Sequence, residues 1–149
     1  MRVVLGSDHA GFLLKQHLIT YLQGLGHETL DVGAFSLDSV DYPDSAAQVG
    51  EKLSSGQAER GIVVCGSGIG ISIAANKMPG VRAALCHEPV SARLSREHND
   101  ANVLALGERL TTPMMAEEIV KIWLETPFAG GRHQNRIDKI HQLEIPHAD

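Results

Sequence analysis

The chain has 149 residues and a mass of 16.0 kDa, the size of one domain, and at that length roughly 68–70 % of the unfolded surface can be buried without disulfide or metal staples. Hydrophobic residues make up 43 % and aromatic ones only 4 %, so the core has to be built from Val, Ile, Leu and Ala. Acidic residues outnumber basic ones 18 to 13, giving a net charge of −5, which argues against a nucleic-acid binder.

Periodicity divides the chain into alternating short strands and helices. Arg2–Gly6 is a β-branched run that ends in a Gly-Ser-Asp turn, and Phe12–Leu25 follows as a helix with an apolar stripe of Phe12, Leu14, Leu18, Ile19, Leu22 and Leu25. His27–Val32 is a second strand. Val40–Leu53 reads as a helix entered after Pro43, with Ala46, Ala47, Val49 and Leu53 facing inward. Gly61–Cys65 is a wholly apolar third strand, Ile69–Lys77 a helix and Val81–Cys86 a fourth strand. Pro89–Glu97 is a helix with proline at its start, and Asn102–Leu106 a fifth strand. Pro113–Glu125 is an amphipathic helix with Met114, Ile119, Ile122 and Trp123 as candidate core, and Arg132–Leu143 is a last helix after the Gly130-Gly131 break.

Continuous apolar strands separated by helices predict a three-layer, Rossmann-like α/β fold: a five-stranded parallel sheet with helices on both faces. In such sheets ligands bind at the carboxyl ends of the strands, here Gly6–His9, Cys65–Gly70, Cys86–Glu88 and Gly107–Arg109. Cys65 and Cys86 lie in apolar runs without CxxC or zinc-type spacing, which fits two free thiols in a reducing cytosol. No HExxH or Cys/His ligand pattern occurs, so no metal site is expected. No apolar run approaches the ~18 residues of a membrane span, and MRVVLGSDHAG lacks the features of a signal peptide. The expectation is a soluble, cytoplasmic protein.

Six of the eight arginines (Arg82, Arg93, Arg96, Arg109, Arg132 and Arg136) lie beyond residue 80, as a local anion site would require. Four segments carry candidate chemistry. In Cys65-Gly66-Ser67-Gly68-Ile69-Gly70 a thiol ends a buried strand and glycines lead into a helix. Successive N–H groups there make an anion cradle, and the same field favours a thiolate. The competing reading is a tight strand–helix turn with an inert core cysteine. Asp8 and His9 sit side by side after the first strand; Asp8 alone is explained by helix capping, His9 is not. Arg96-Glu97-His98-Asn99-Asp100 reads equally as a solvated helix terminus. In Gly130-Gly131-Arg132-His133-Gln134-Asn135-Arg136 the two arginines share a helix face and suit a phosphate. His17 and His27 read as helix-surface and strand-edge residues, and His141 and His147 as part of a polar tail. Ile71 stands where a GxGxxG motif needs its third glycine, although Asp31 at the end of the second strand would suit a nucleotide ribose.

These segments, with Asp41-Tyr42-Pro43 and His98-Asn99-Asp100-Ala101-Asn102-Val103, occur in an order and spacing that resembles the type B ribose-5-phosphate isomerases, within the ribose/galactose/allose phosphate isomerase family. The resemblance runs through nearly the whole chain. It implies an aldose–ketose isomerase interconverting D-ribose 5-phosphate and D-ribulose 5-phosphate through an enediolate. Cys65 would be the base, Gly66, Ser67, Gly68, Ile69 and Gly70 the anion hole, and His98 the ring opener helped by Asp8. His9, Arg109, Arg132 and Arg136 would bind the phosphate, and Tyr42 and Asn99 the sugar hydroxyls. Arg82, Arg93 and Arg96 are left with surface or pairing roles.

The family uses no metal or organic cofactor, and its members are homodimers or homotetramers with active sites shared between subunits. A C-terminal helix over about residues 132–144 would then pack at a subunit interface. Some relatives carry Thr where Ser67 stands. Another branch replaces the cysteine by a glutamate at the position that is Ile71 here, so only the cysteine route is open. Allose 6-phosphate or galactose 6-phosphate would serve the same loop chemistry. Other classes left by the residues alone are a nucleotide-binding module and a redox-sensing thiol protein. No nucleic-acid or membrane partner is expected.

Overall fold

The computed structural model describes residues 1–146; His147, assigned above to the polar tail, lies outside the described residues. Five strands form one sheet in the order β2-β1-β3-β5-β4, namely β1 (Arg2–Ser7), β2 (Glu28–Asp31), β3 (Arg60–Cys65), β4 (Ala83–Leu85) and β5 (Val103–Gly107). Every pairing is parallel, with Ser7 opposite Val64 and Cys65 opposite Gly107. A parallel neighbour requires a crossover, and four helices supply it, α1 (Phe12–Gly24), α2 (Tyr42–Ser54), α3 (Ile69–Ala75) and α4 (Pro89–Asn99), while α5 (Pro113–Glu125) and α6 (Arg132–Gln142) follow the last strand. The strand order reverses between β1 and β3, and the ends of those strands place Asp8 and Cys65 beside each other: the Asp8 N–H donates to the Val64 carbonyl at 3.3 Å.

Alternation along the strands sorts the core into two layers. Val3, Leu5, Ile62, Val64, Leu104 and Leu106 face α1, α4 and α5, where Leu18, Ala92, Ile119 and Trp123 meet them. Val4, Val63, Cys65, Val103 and Ala105 face the other way, toward Ala46, Val49, Ile71 and Ala75 of α2 and α3. Two expected core positions are on the outside. Met114 is 72 % exposed because the inward stripe of α5 runs through Ala116, Ile119, Val120, Trp123 and Leu124, and Leu25 beyond α1 is 44 % exposed.

Helix ends also move. α3 stops at Ala75 rather than Lys77 because the Asn76 side chain turns away to bracket the edge strand, accepting from the Ala83 N–H at 2.8 Å and donating to its carbonyl at 3.0 Å. α4 runs two residues longer than expected, so His98 and Asn99 form its last turn before Asp100 closes it at φ 45°. His141 is no tail residue: it lies in α6, where its Nε2 receives the Arg82 Nη1 donor at 2.8 Å.

Lys15 is a charge inside the structure. It is wholly buried, its Nζ donating to Asp31 Oδ1 at 2.6 Å and to the Ala34 carbonyl, with the Phe12 and Phe35 rings 5.5 and 5.4 Å away. The Gly33 N–H donates to Asp31 Oδ1 at 2.9 Å and Gln16 Nε2 to Asp31 Oδ2 at 3.2 Å. Asp31 therefore serves as the partner of a buried lysine and a brace for the following loop, a structural role where the sequence suggested a ribose contact. The loop so fixed pairs with Ser7 on both sides, the Ser7 N–H to the Gly33 carbonyl at 2.6 Å and the Ala34 N–H to the Ser7 carbonyl at 2.7 Å. Removing one partner of a buried pair strands the other, so Lys15→Ala is expected to cost about 3 kcal/mol. A urea denaturation series checks this, and a loss below about 1 kcal/mol would contradict the pinned loop.

Candidate active site

At the carboxyl edge of the sheet, β3 ends in Cys65 and the chain turns through Gly66, Ser67 and Gly68 into α3. Gly68 takes φ 77°, a left-handed conformation open to glycine, and its N–H donates to the Cys65 sulfur at 3.1 Å. The Ile69 N–H is taken by Ser67 Oγ at 3.2 Å, while the Gly70 and Ile71 N–H groups of the first turn of α3 have no intrahelical acceptor. Cys65 itself is 4 % exposed, a sulfur at the floor of the turn.

The neighbouring strand ends close around this turn. The Arg109 N–H donates to the Gly66 carbonyl at 3.0 Å, and the guanidinium lies over Gly66, where a Cβ would stand 2.9 Å from Arg109 Nη1. Tyr42, at the start of α2, lies over Gly70 in the same way, its Cζ 2.6 Å from a Cβ built there. Asp8 is buried, and its Oδ1 accepts the Gly11 N–H at 3.0 Å, capping the 3-10 turn His9–Gly11. His9 is held by the Val40 backbone, its Nδ1 lying 3.2 Å from the Val40 nitrogen and 3.3 Å from the Val40 carbonyl oxygen, which leaves Nε2 as the outer ring nitrogen. Asp8, His9, Tyr42, Cys65 to Gly70 and Arg109 thus form one group.

The remaining candidates stand elsewhere. α4 returns from the carboxyl edge to the amino edge before β5 begins, so His98 and Asn99 lie at the opposite end of the sheet from Cys65. A five-residue strand such as β5 sets that separation at about 15 Å. α6 lies at the same amino edge: the His133 ring stacks on His98 with centroids 4.5 Å apart and planes 18° from parallel, and Glu144 Oε1 accepts the Gly80 N–H at 2.9 Å. Arg132 and Arg136 therefore belong with His98 and Asn99. A cavity of about 570 Å³ between β4, α4 and α6 includes Asn99 among its walls and none of the carboxyl-edge group. Within one chain the predicted residues form two half-sets, one with the thiol and its glycine turn, the other with imidazoles and arginines.

His133 is the residue that sequence reasoning passed over, although it stands between Arg132 and Arg136 in a motif already singled out. Partial desolvation, then the charges of His98, Arg132 and Arg136, hold its pKa below the usual imidazole value. Protonation is thereby disfavoured in the folded arrangement, so this cluster loses stability as pH falls through the imidazole range. A bound anion offsets that repulsion. Burial pushes the Cys86 thiol up instead, as suits a packing residue, and Arg96 is only 2 % exposed, donating to the Ala101 carbonyl at 2.7 Å and pairing with Asp100 at the same distance. Among the described residues no group of three or more His, Cys, Asp or Glu is placed to hold a metal ion.

Two tests follow from this geometry. In an NMR titration His133 should ionise below the usual ~6.5 and move upward on adding inorganic phosphate; an ordinary value that phosphate leaves unmoved would contradict the cationic cluster. Gly107→Ala would bring a Cβ to 2.5 Å from the Ser67 backbone, whereas Gly66→Ala meets only the movable end of Arg109. The first should cost about 2–3 kcal/mol in stability and the second under about 1, read from denaturation midpoints; equal losses would show that the turn does not rest on β5 as described.

The family model for ribose/galactose isomerase matches residues 3–140. Ribose-5-phosphate isomerase B of Escherichia coli is 46 % identical over 143 residues, covering 96 % of each chain. Among solved structures, ribose-5-phosphate isomerase B of Clostridium thermocellum superposes with a TM-score of 0.96 at 51 % identity, covering 97 % of each chain. That of Mycoplasma genitalium, solved with bound ribulose-5-phosphate, does so with a TM-score of 0.92 at 40 % identity, covering 96 % of this chain and 95 % of that one. A match over nearly the full length, carried by the sheet order and the loops just described, leaves one conclusion: the chain belongs to the ribose/galactose isomerase family.

Proposed function

We propose that this chain is an aldose–ketose isomerase that interconverts D-ribose 5-phosphate and D-ribulose 5-phosphate, working in the cytoplasm as a homo-oligomer built on a two-fold dimer. The observation that carries the reading is the Cys65 turn: a thiol at the end of a central strand, with the Gly68 N–H on its sulfur and the start of α3 directly after it. Isomerisation takes the proton from C2 of the open-chain aldose, passes through an enediolate and returns a proton to C1. That sequence needs a base within reach of C2 and donors aimed at the oxygen where charge develops. Cys65 supplies the base, and the N–H groups of the Gly66–Gly70 turn that are not already engaged, those of Gly66, Ser67 and Gly70, supply the donors together with Ser67 Oγ. Donors of this kind contribute about 3–4 kcal/mol each to the transition state. The pentose is favoured by the Mycoplasma genitalium neighbour, solved with ribulose-5-phosphate.

The dimer follows from the separation of the half-sets. A two-fold interface brings the carboxyl-edge group of one subunit against the amino-edge group of its partner, and does so twice. Each composite site then unites Cys65, Asp8, His9, Tyr42 and Arg109 from one chain with His98, Asn99, Arg132 and Arg136 from the other. In it His98 protonates the ring oxygen to open the furanose, next to Asp8 across the interface, and the arginines with His9 Nε2 hold the phosphate. α6 packs at this interface. Two free thiols, Cys65 and Cys86, suit a reducing compartment.

A panel of pentose and hexose phosphates tests the assignment. Cys65→Ala should lower kcat for ribose 5-phosphate about a thousandfold or more while KM stays within about threefold. Undiminished turnover in Cys65→Ala removes the thiol from the mechanism, and faster turnover of a hexose 6-phosphate by wild type replaces the pentose. Arg132→Ala should instead act on KM, and equal reactivity of unphosphorylated ribose would contradict the phosphate clamp.

A further inference from the structure

Arg82 stands just before β4 and reaches between the two elements that carry the His98 half of the site. Its side chain is 15 % exposed, and all three guanidinium nitrogens are engaged. Nε donates to the carbonyls of Asn99 and Asp100, each at 3.1 Å, and Nη2 donates to the Asp100 carbonyl at 2.8 Å. Nη1 points the other way and donates to His141 Nε2 of α6 at 2.8 Å. The first set caps the end of α4, where carbonyls have no intrahelical partner and a cation complements the helix dipole. The second grips a different helix. Because the guanidinium is a rigid planar fork, holding both at once fixes the distance between them.

α6 is also tied to α4 by the stack of His133 on His98, and between His133 and His141 it buries Ile137. His133 and His141 are eight residues apart, about 12 Å along a helix. Two anchors at that spacing fix the direction of α6 as well as its position, and Arg132 and Arg136 are carried on the anchored length. With the Arg82 anchor gone, α6 keeps the histidine stack and the buried Ile137 but loses the polar tie at its far end, so its direction shifts and the arginines move relative to His98. We infer that Arg82 is a positioning residue for phosphate recognition, tying the α4 terminus with His98 and Asn99 to the helix that carries Arg132 and Arg136. This rests on the roles proposed for those four residues.

Arg82→Gln, His141→Phe and the double variant test it, with calorimetric binding of inorganic phosphate, KM and kcat for ribose 5-phosphate, and melting curves. His141→Phe leaves the α4 carbonyls capped, so a change in that variant cannot be assigned to a frayed helix end. Both single variants should weaken phosphate binding and raise KM about five- to tenfold, with kcat within about threefold of wild type. The double variant should be no weaker than Arg82→Gln, because both substitutions remove one link. Wild-type phosphate affinity and KM in His141→Phe, or losses that multiply in the double variant, would overturn the inference. Weakened phosphate binding in the variants of a wild-type protein that does not isomerise ribose 5-phosphate would leave the positioning role standing and remove the functional reading instead.

Discussion

The architecture is governed by one geometric constraint. In a parallel sheet every crossover helix returns the chain across the full length of the strands, so a residue ending a strand and a residue ending the following helix stand at opposite edges. Cys65 ends β3 and His98 lies in the last turn of α4, and no rearrangement short of unfolding brings them together in one chain. Arg132 and Arg136 share the far edge because α6 is fastened there, through His133 to His98 and through His141 to Arg82. The proposed chemistry needs a base, a ring-opening acid and a phosphate clamp around one small sugar. Under the proposed function oligomerisation becomes part of the active site, with a two-fold axis doing what a longer loop would do elsewhere.

Within the carboxyl-edge half, precision comes from backbone packed on backbone. The Cys65 turn sits against the end of β5, with the Glu108 and Arg109 N–H groups donating to the Cys65 and Gly66 carbonyls at 2.9 and 3.0 Å. Arg109 and Tyr42 then lie across glycines, so each side chain is placed by the absence of another. The first strand is braced from behind, where Lys15, Asp31 and the Gly33–Ala34 segment fix Ser7, the residue before Asp8 and His9. The charge of Lys15 is costly to bury, and it is offset by a carboxylate and a carbonyl at close range.

Element order, the parallel sheet and the loop at Cys65 were legible in the sequence, because apolar strands, helix-opening prolines and a glycine-spaced turn each leave a local mark. Contacts made at long range were not. Lys15 looks like any solvated helix lysine, and its burial depends on Asp31, Ala34 and two phenylalanine rings from other segments. His133 gives no signal beyond lying between two arginines; its partner His98 comes from another helix. Arg82 reads as a surface arginine until both α4 and α6 are in place. Met114 misleads for a simpler reason: hydrophobicity favours a methionine, while the helical phase puts the small Ala116 on the core. The separation of Cys65 from His98 follows from the strand–helix alternation itself, once the direction of each helix is considered together with its pattern.

Complementation between two inactive variants tests the shared site most directly. Cys65→Ala spoils one half-set and His98→Asn the other, and co-expressed subunits pair at random. A shared site predicts that each variant alone is nearly inactive while the mixture regains about a quarter of wild-type turnover, since half the dimers are mixed and each of those holds one intact site of two. A mixture no more active than its parents would contradict the account and require Cys65 and His98 to act within a single chain or not together at all.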